Sequence, residues 1–280
     1  MLLYTQAIRG IYYMLYWILK TFHLEMTTPT LYSWFHILSI VLVIALTVFL
    51  CIKFRNSDEK VFKRIVLISW IAMVVLEIYK QIVFSTTITD TGIEWDYQWY
   101  IFPFQFCSMS IYVLPFLLFV KNKKINNAVI TFISTFSLFA GMSVMIFPST
   151  VYVSTIGINI QTMVHHGLQV VLGIYFIVYN RKNIKWKDFL GGSLIYLITV
   201  LIAMLLNWLV PFITDETFNM FYISKNFDCD IPVLKQLHIL LADTMYPLFL
   251  ISYFLSMNLI ACIYFAVTKG ILAISKIRQE

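Results

Sequence analysis

One cysteine and two neighbouring histidines are the residues of this sequence best suited to nucleophilic chemistry. Cys107 lies in the short run Pro103–Ser108, and His165 and His166 lie in a later apolar stretch. An imidazole beside a thiol can take its proton and produce the thiolate, which is the nucleophilic form of cysteine. A buried cysteine is more often a small apolar packing residue. The residue types therefore allow a catalytic pair without requiring one.

The spacing around the histidines favours His165 as the base. Gln161, His165 and Gln169 recur at intervals of four residues, which places them on one face of a helix. His166 is turned about 100° away from that face. A histidine in a membrane helix can equally be a packing residue whose hydrogen bonds are satisfied, and this alternative stays open for both.

Further polar or ionisable side chains interrupt the apolar stretches, namely Glu77, Lys80, Asn207, His238 and Asp243. A charge at the centre of a membrane helix costs about 2.5–3.5 kcal/mol, so these residues are candidates for a functional site. Glu77 and Lys80 are three residues apart and could simply neutralise each other. Asn207 and Asp243 could join helices by hydrogen bonds, or Asn207 could orient a catalytic imidazole.

The apolar stretches themselves identify the class of protein. Of the 280 residues, 60% are hydrophobic and 12% are charged, against about 45–50% and about 25% in an average soluble domain. The apolar runs are roughly 20 residues long, the length of a helix that crosses about 30 Å of hydrocarbon. Lipid offers no partner for unpaired backbone groups, so such runs are helical. The sequence therefore predicts an all-α, polytopic transmembrane helix bundle.

Seven runs are predicted to span the membrane, and they are Thr30–Ile52, Ile65–Phe84, Ile101–Val120, Ile125–Phe147, Ile156–Asn180, Phe189–Ile213 and Leu237–Val267. They form one transmembrane domain, residues 30–267, which is followed by a cytoplasmic tail, residues 268–280. The preceding segment, residues 1–29, is rich in tyrosine but is interrupted by Arg9 and Lys20. This pattern favours a helix that lies in the membrane interface.

The distribution of Lys and Arg predicts the orientation, because these residues are retained on the cytoplasmic side of a membrane. Fifteen lie in the loops after the first, third and fifth spans and in the tail, whereas the opposite side has only Arg9, Lys20, Lys225 and Lys235. We therefore expect a multi-pass protein of the cell membrane with its N-terminus outside and its C-terminus in the cytoplasm. Anionic headgroups account for the net charge of +6, so no nucleic acid partner is expected.

This orientation brings most of the polar side chains, Gln105 among them, within roughly 6–15 Å of the outer membrane boundary. The inner halves of the same helices are apolar. The asymmetry predicts a polar pocket that opens toward the outer leaflet. Of the four cysteines, only Cys229 is expected in an exposed outer loop, and the cysteine spacing indicates neither a disulfide framework nor a metal site.

Four short motifs, Pro103–Ser108, His165–Gly167, Asn207 and Asn219–Tyr222, occur in order across the later spans. They resemble the bacterial YwaF family and its animal relative, transmembrane protein 164. That relative moves fatty acyl chains between glycerophospholipids with a Cys and a His in the membrane. The resemblance therefore implies Cys107 as the nucleophile and His165 as its base.

One position departs from the pattern of the bacterial members. They commonly have a histidine where this chain has Gln105, so any proton transfer by that histidine is lost here. We expect Gln105 or Asn207 to orient His165 or to donate a hydrogen bond to an oxyanion.

Two classes of function remain as alternatives. The first is a phospholipid acyltransferase, or a hydrolase that forms a thioester, with membrane phospholipids as partners and no bound cofactor or metal. The second is a small-solute or ion-coupled transporter or binding protein with an ion or proton relay. The relay would consist of Glu77, Lys80, His165 and Asp243. A heptahelical receptor is a third possibility and rests on helix count alone.

Overall fold

The computed structural model describes residues 2–90 and 92–277, and it consists almost entirely of helices. In chain order they are α1 (Leu2–Phe22), α2 (Trp34–Lys53), α3 (Glu59–Ser85), α4 (Phe106–Phe119), α5 (Lys123–Ile146), α6 (Ile156–Tyr179), α7 (Trp186–Phe212), α8 (Leu234–Leu241) and α9 (Tyr246–Ile277). Between α3 and α4, the strands β1 (Thr86–Thr89) and β2 (Gly92–Trp95) form an antiparallel hairpin. The predicted helical membrane bundle is confirmed.

Five helices, α2, α5, α6, α7 and α9, are long and apolar enough to cross a membrane. They coincide with five of the seven predicted spans, and the chain is a multi-pass membrane protein. The apolar windows of α5 and α6 are 72% and 67% buried, against 17–28% for α2, α7 and α9. α5 and α6 therefore form the centre of the bundle, and α2, α7 and α9 have surfaces available to lipid.

The second predicted span lies within α3, which is 27 residues long. At 1.5 Å per residue it extends about 40 Å. Its start is fixed by Asp58, whose side chain accepts a hydrogen bond from Val61 N at 2.8 Å, as expected of a residue that caps a helix N-terminus. α3 is not among the five apolar helices, and it carries Glu77 and Lys80 in its last turns.

The third predicted span, Ile101–Val120, differs most from the structure. Helical structure in α4 begins only at Phe106, which leaves a helix of about 21 Å, too short to cross the hydrocarbon alone. Pro103 explains the late start, because it lacks a backbone donor and disfavours a helical conformation of the preceding residue. Phe102 is accordingly extended, with ψ at 133°. Gln105 therefore precedes the helix instead of lying within it.

The last predicted span, Leu237–Val267, is divided into α8 and α9. Pro247 is the second residue of α9, and proline fits the first turn of a helix but not its interior. The chain consequently turns between the two helices. Asp243 lies exposed in that turn, so its predicted position inside a membrane span is corrected.

The loop between α7 and α8 folds onto the bundle instead of projecting from it. Phe218, Phe221 and Cys229 are fully buried in the main hydrophobic core. The expectation that Cys229 is exposed is therefore wrong, because the aromatic residues of the loop pack inward and carry the cysteine with them. Burial raises the pKa of the Cys229 thiol, so this thiol stays protonated at neutral pH.

The first and last described residues of the chain belong to helices. α1 is tied to the hairpin region, where His23 Nε2 lies 2.9 Å from Thr86 Oγ1 and Tyr79 OH donates to Phe22 O at 2.9 Å. Its position in the membrane interface stays a prediction. α9 continues through most of the predicted tail, of which residues 278–280 lie outside the described part of the chain, as does Met1 of the predicted interfacial segment.

Candidate active site

The central helices α5 and α6 approach each other closely where α6 carries the histidines. A Cβ atom added to Gly141 of α5 would lie 2.6 Å from His166 O and 2.8 Å from Gln169 Cβ. Such distances are too short for any residue but glycine. In addition, Ser137 Oγ of α5 lies 2.6 Å from Ser110 Oγ of α4. α5 therefore holds α4 and α6 in register with each other.

Cys107 lies in the first turn of α4, where the extended segment after Pro103 becomes helical. Ser108 N closes this turn by donating to Gln105 O at 2.8 Å. The side chain of Cys107 is partly buried. The local structure therefore fixes the position of Cys107 at this junction.

Two side chains of α6 converge on the backbone carbonyl of Cys107. His165 Nε2 lies 3.2 Å from Cys107 O, and Gln169 Nε2 donates to the same oxygen. The two nitrogens are 3.4 Å apart. The polar stripe of α6 thus faces the start of α4, and the contact of His165 is with the backbone of Cys107.

This contact defines the tautomer of a neutral His165. A carbonyl oxygen can only accept a hydrogen bond, so Nε2 must carry the proton and Nδ1 must be the unprotonated nitrogen. Nδ1 is buried and has no hydrogen-bond partner among the described residues. Gln169 Oε1 is in the same situation. Buried polar atoms are nearly always hydrogen-bonded, so two neighbouring exceptions require an explanation.

His166 and Gln161 are directed to their own helix. His166 Nδ1 lies 2.8 Å from Thr162 O, one turn earlier in α6, which occupies that nitrogen. Thr162 Oγ1 donates to Gln161 Oε1 at 3.4 Å. Of the two histidines, His165 is the one that contacts Cys107.

Gln105 and Asn207 hold the backbone of the loop between α7 and α8. Gln105 donates to Asn219 O and accepts from Phe221 N, both at 2.9 Å. Asn207 donates to Met220 O at 3.0 Å and accepts from Met220 N at 2.7 Å. Each amide therefore uses both its donor and its acceptor on the loop, and neither contacts His165.

The segment held by these amides has a strained backbone. Phe221 and Tyr222 have φ angles of 61° and 56°, a left-handed conformation that is unfavourable for bulky side chains and costs about 1–3 kcal/mol per residue. The hydrogen bonds from Gln105 and Asn207 hold the strained turn in place. The motif Asn219–Tyr222 marks this turn in the sequence. The motif does not reveal that Gln105 and Asn207 hold the turn in place.

Asn219 and His238 hold the following part of the same loop. Asn219 accepts from Ser224 N and donates to Asp228 O, both at 2.9 Å. His238 Nε2 lies 3.1 Å from Ser224 O, and its ring packs edge-on against Phe249. His238 therefore supports the loop between α7 and α8 through Ser224 and does not contact Cys107.

Glu77 and Lys80 form an ion pair with a distance of 2.7 Å between Oε1 and Nζ. Gln81 Nε2 donates to the same Glu77 oxygen and to Ile101 O, both at 2.8 Å. Tyr97 OH donates to Gln81 Oε1 at 2.9 Å. The charged pair thus belongs to a network that fixes the segment before α4. Burial raises the pKa of Tyr97, and the Glu77 charge raises it further, so the phenol remains a donor.

A pocket of about 420 Å³ opens beside Gln105 and the strained turn. Its polar lining includes Asn219, Asn226, Asp228 and Asp230, and its aromatic lining includes Tyr222. Burial raises the pKa of Tyr222, and the nearby Cys107 and Asp230 raise it further. Within residues 2–90 and 92–277, no group of three His, Cys, Asp or Glu residues is arranged to hold a metal ion.

Comparison with known proteins identifies the family. The profile of the TMEM164 family matches residues 31–269, which is most of the chain. Neither the search of curated proteins nor the search of solved structures found a significant match. The matched range contains α2 to α8, most of α9, and every residue of the candidate site. The chain belongs to the TMEM164 family.

Proposed function

We propose that this protein is a phospholipid acyltransferase that carries the acyl group as a thioester on Cys107. The observation that supports the proposal most strongly is Nδ1 of His165, a buried nitrogen without a partner on a side chain that contacts Cys107. Leaving such an atom unsatisfied costs about 1–3 kcal/mol. A histidine that accepts the proton of a thiol needs a nitrogen with a free lone pair, and this need accounts for the unsatisfied atom.

The proposed reaction has two steps and one proton carrier. First, Cys107 Sγ attacks the ester carbonyl of a phospholipid, the thiol proton passes to His165, and the leaving lysophospholipid oxygen takes that proton as the ester C–O bond breaks. Then the hydroxyl of a second lysophospholipid attacks the thioester and gives its proton to His165. His165 returns the proton to sulfur as the C–S bond breaks. No cofactor is consumed.

Gln105 and Asn207 act as positioning residues in this proposal. Their amide groups are already engaged with the backbone of residues 219–221, so we do not assign them to the oxyanion or to His165. The turn that they hold carries Tyr222 into the pocket wall. Tyr222 keeps its proton at neutral pH and can donate a hydrogen bond to the lipid.

The transporter alternative has less support. A relay requires ionisable groups within hydrogen-bonding reach of one another. Glu77 and Lys80 bond to each other and to Gln81, His165 bonds to the Cys107 backbone, and Asp243 is exposed in a turn. The four residues do not form a connected series, and we do not propose this function.

Acyl exchange between phospholipids tests the proposal. Purified full-length protein in mixed micelles is supplied with a phospholipid that has a labelled acyl chain and with an unlabelled lysophospholipid. We expect Cys107→Ala to abolish transfer. Cys262→Ala is the matched control, because Cys262 is a partly buried thiol of α9, and it should retain full transfer. Full transfer by Cys107→Ala would contradict the proposal.

The orientation of the chain is part of the proposal, because it places the pocket at the outer leaflet. Its support is the concentration of Lys and Arg in the loops after α2, α4 and α6. Lys225→Cys should react with an impermeant thiol reagent on intact cells, and Lys123→Cys should not. Both residues are exposed. The reverse pattern would place the pocket at the inner leaflet.

A further inference from the structure

A second cavity, of about 540 Å³, lies between the start of α3 and the end of α4. Its walls are formed by Lys60, Lys63, Arg64, Leu67, Leu118 and Phe119, with Glu59 at the edge. Leu67 precedes Glu77 by ten residues of one helix, a separation of about 15 Å. The cavity is therefore separate from the site around Cys107.

The charged residues that line this cavity have an excess of positive charge. Lys63 Nζ is paired with Glu59 Oε1 at 2.8 Å. Lys60 and Arg64 are exposed, and neither has an ion pair or a side-chain hydrogen bond within residues 2–90 and 92–277. Because they are four residues apart, they lie on one face of α3 and can approach the same anion.

The rest of the cavity lining is apolar and adjoins the same face of α3. Leu67 follows Arg64 by three residues, and its side chain is 39% exposed. Phe119, at the end of α4, is 75% exposed, and Leu118 lies beside it in the cavity wall. Two unpaired cations thus adjoin an open apolar surface. A free phosphate ion would use only the first part of this arrangement, whereas a lipid with a phosphate headgroup would use both.

We infer that this cavity binds an anionic phospholipid, with its phosphate between Lys60 and Arg64 and an acyl chain along Leu67 and Phe119. Three lysines that follow α4, Lys121, Lys123 and Lys124, add to the attraction for a negative headgroup. The inference does not depend on the chemistry proposed for Cys107. The bound lipid would be a structural ligand at the opposite half of α3 from the candidate active site.

The test measures the retention of two lipids by the full-length protein. Purified protein in detergent is incubated with equal amounts of phosphatidylglycerol and phosphatidylcholine, and bound lipid is counted by native mass spectrometry. We expect the unmodified protein to retain the anionic lipid preferentially. A single basic residue near an anionic headgroup contributes about fivefold, so Lys60→Gln with Arg64→Gln should reduce phosphatidylglycerol binding roughly tenfold or more.

The matched control is Lys182→Gln with Lys187→Gln. These two exposed basic residues lie around the start of α7 and outside the cavity. This control should stay within about twofold of the unmodified protein, and thermal unfolding in phosphatidylcholine micelles checks that both variants are folded. Equal loss in both variants, or no preference by the unmodified protein, overturns the inference. Displacement by soluble glycerol phosphate as effectively as by phosphatidylglycerol overturns the lipid assignment, because it would indicate a simple anion site.

Discussion

The two polar regions of this molecule differ in how completely their hydrogen-bonding capacity is used. Beside the loop between α7 and α8, Gln105 and Asn207 each use a donor and an acceptor on the backbone of residues 219–221. Below it, His165 and Gln169 share one acceptor, and His165 Nδ1 and Gln169 Oε1 are buried without partners. The two regions lie close together, since Gln105 and Cys107 are two residues apart.

In the proposed mechanism, this difference separates residues that build the site from residues that act in it. A partly buried amide that bonds at both ends stabilises the fold, because it satisfies backbone groups that would otherwise be unpaired. A buried base with a free lone pair stabilises nothing in the resting protein. The free Nδ1 of His165 is therefore the feature on which the proposed chemistry rests, and we assign a supporting role to Gln105 and Asn207.

The largest effect on stability is expected from substitution of Gln105 or Asn207, whose side-chain amides use both a donor and an acceptor. Asn207→Leu keeps the size of the side chain but leaves Met220 N without a partner, and Met220 O keeps only its 3.4 Å bond from Ile223 N. At about 1–3 kcal/mol for an unsatisfied buried group, the free energy of unfolding should fall by about 1–3 kcal/mol. Thermal unfolding in detergent measures this change.

The neighbouring Trp208 provides the control, since it is 63% exposed and its side chain makes no hydrogen bond among the described residues. Trp208→Leu should change stability by less than about 1 kcal/mol. Equal stability of the Asn207 and Trp208 variants would remove the distinction between supporting and acting residues.

A smaller effect on stability is expected from substitution of His165, whose Nδ1 has no hydrogen-bond partner among the described residues. His165→Gln keeps a donor for Cys107 O but removes the base. We expect the melting temperature to change little and acyl transfer to fall about 10²–10⁴-fold, the usual contribution of a general base. His166→Gln should retain most activity, because His166 Nδ1 bonds only to Thr162 O.

The double variant Cys107→Ala with His165→Gln sharpens this prediction. Residues that act as a unit lose activity non-additively, so the double variant should be no less active than Cys107→Ala alone. If His165→Gln transfers acyl chains at the unmodified rate while His166→Gln does not, the assignment of the base is reversed.

Much of the helical architecture could be predicted from the sequence, because long apolar runs in lipid have no alternative to a helix. Five predicted spans correspond to apolar helices of the structure. The stripe of Gln161, His165 and Gln169 also indicated which face of α6 is polar, because helical periodicity is a local property.

The sequence was a poorer guide where tertiary contacts decide the structure. Pro103 and Pro247 were visible, but apolarity alone did not show that they shorten α4 and separate α8 from α9. Asn207 and Gln105 were predicted near His165, whereas the structure joins them to residues 219–221. Cys229 was predicted to be exposed because the predicted orientation places it in an outer loop, and the aromatic residues of that loop bury it only after the loop has folded.

The most direct test of the central claim is the mass of the protein after incubation with a phospholipid in the absence of an acyl acceptor. The account predicts an increase equal to one fatty acyl group minus one hydrogen, located on the peptide that contains Cys107 and removed by neutral hydroxylamine, which cleaves thioesters. Cys107→Ala should show no increase, and Cys262→Ala should show all of it. Acylation that persists in Cys107→Ala, or active transfer without any acylated Cys107, would contradict the account.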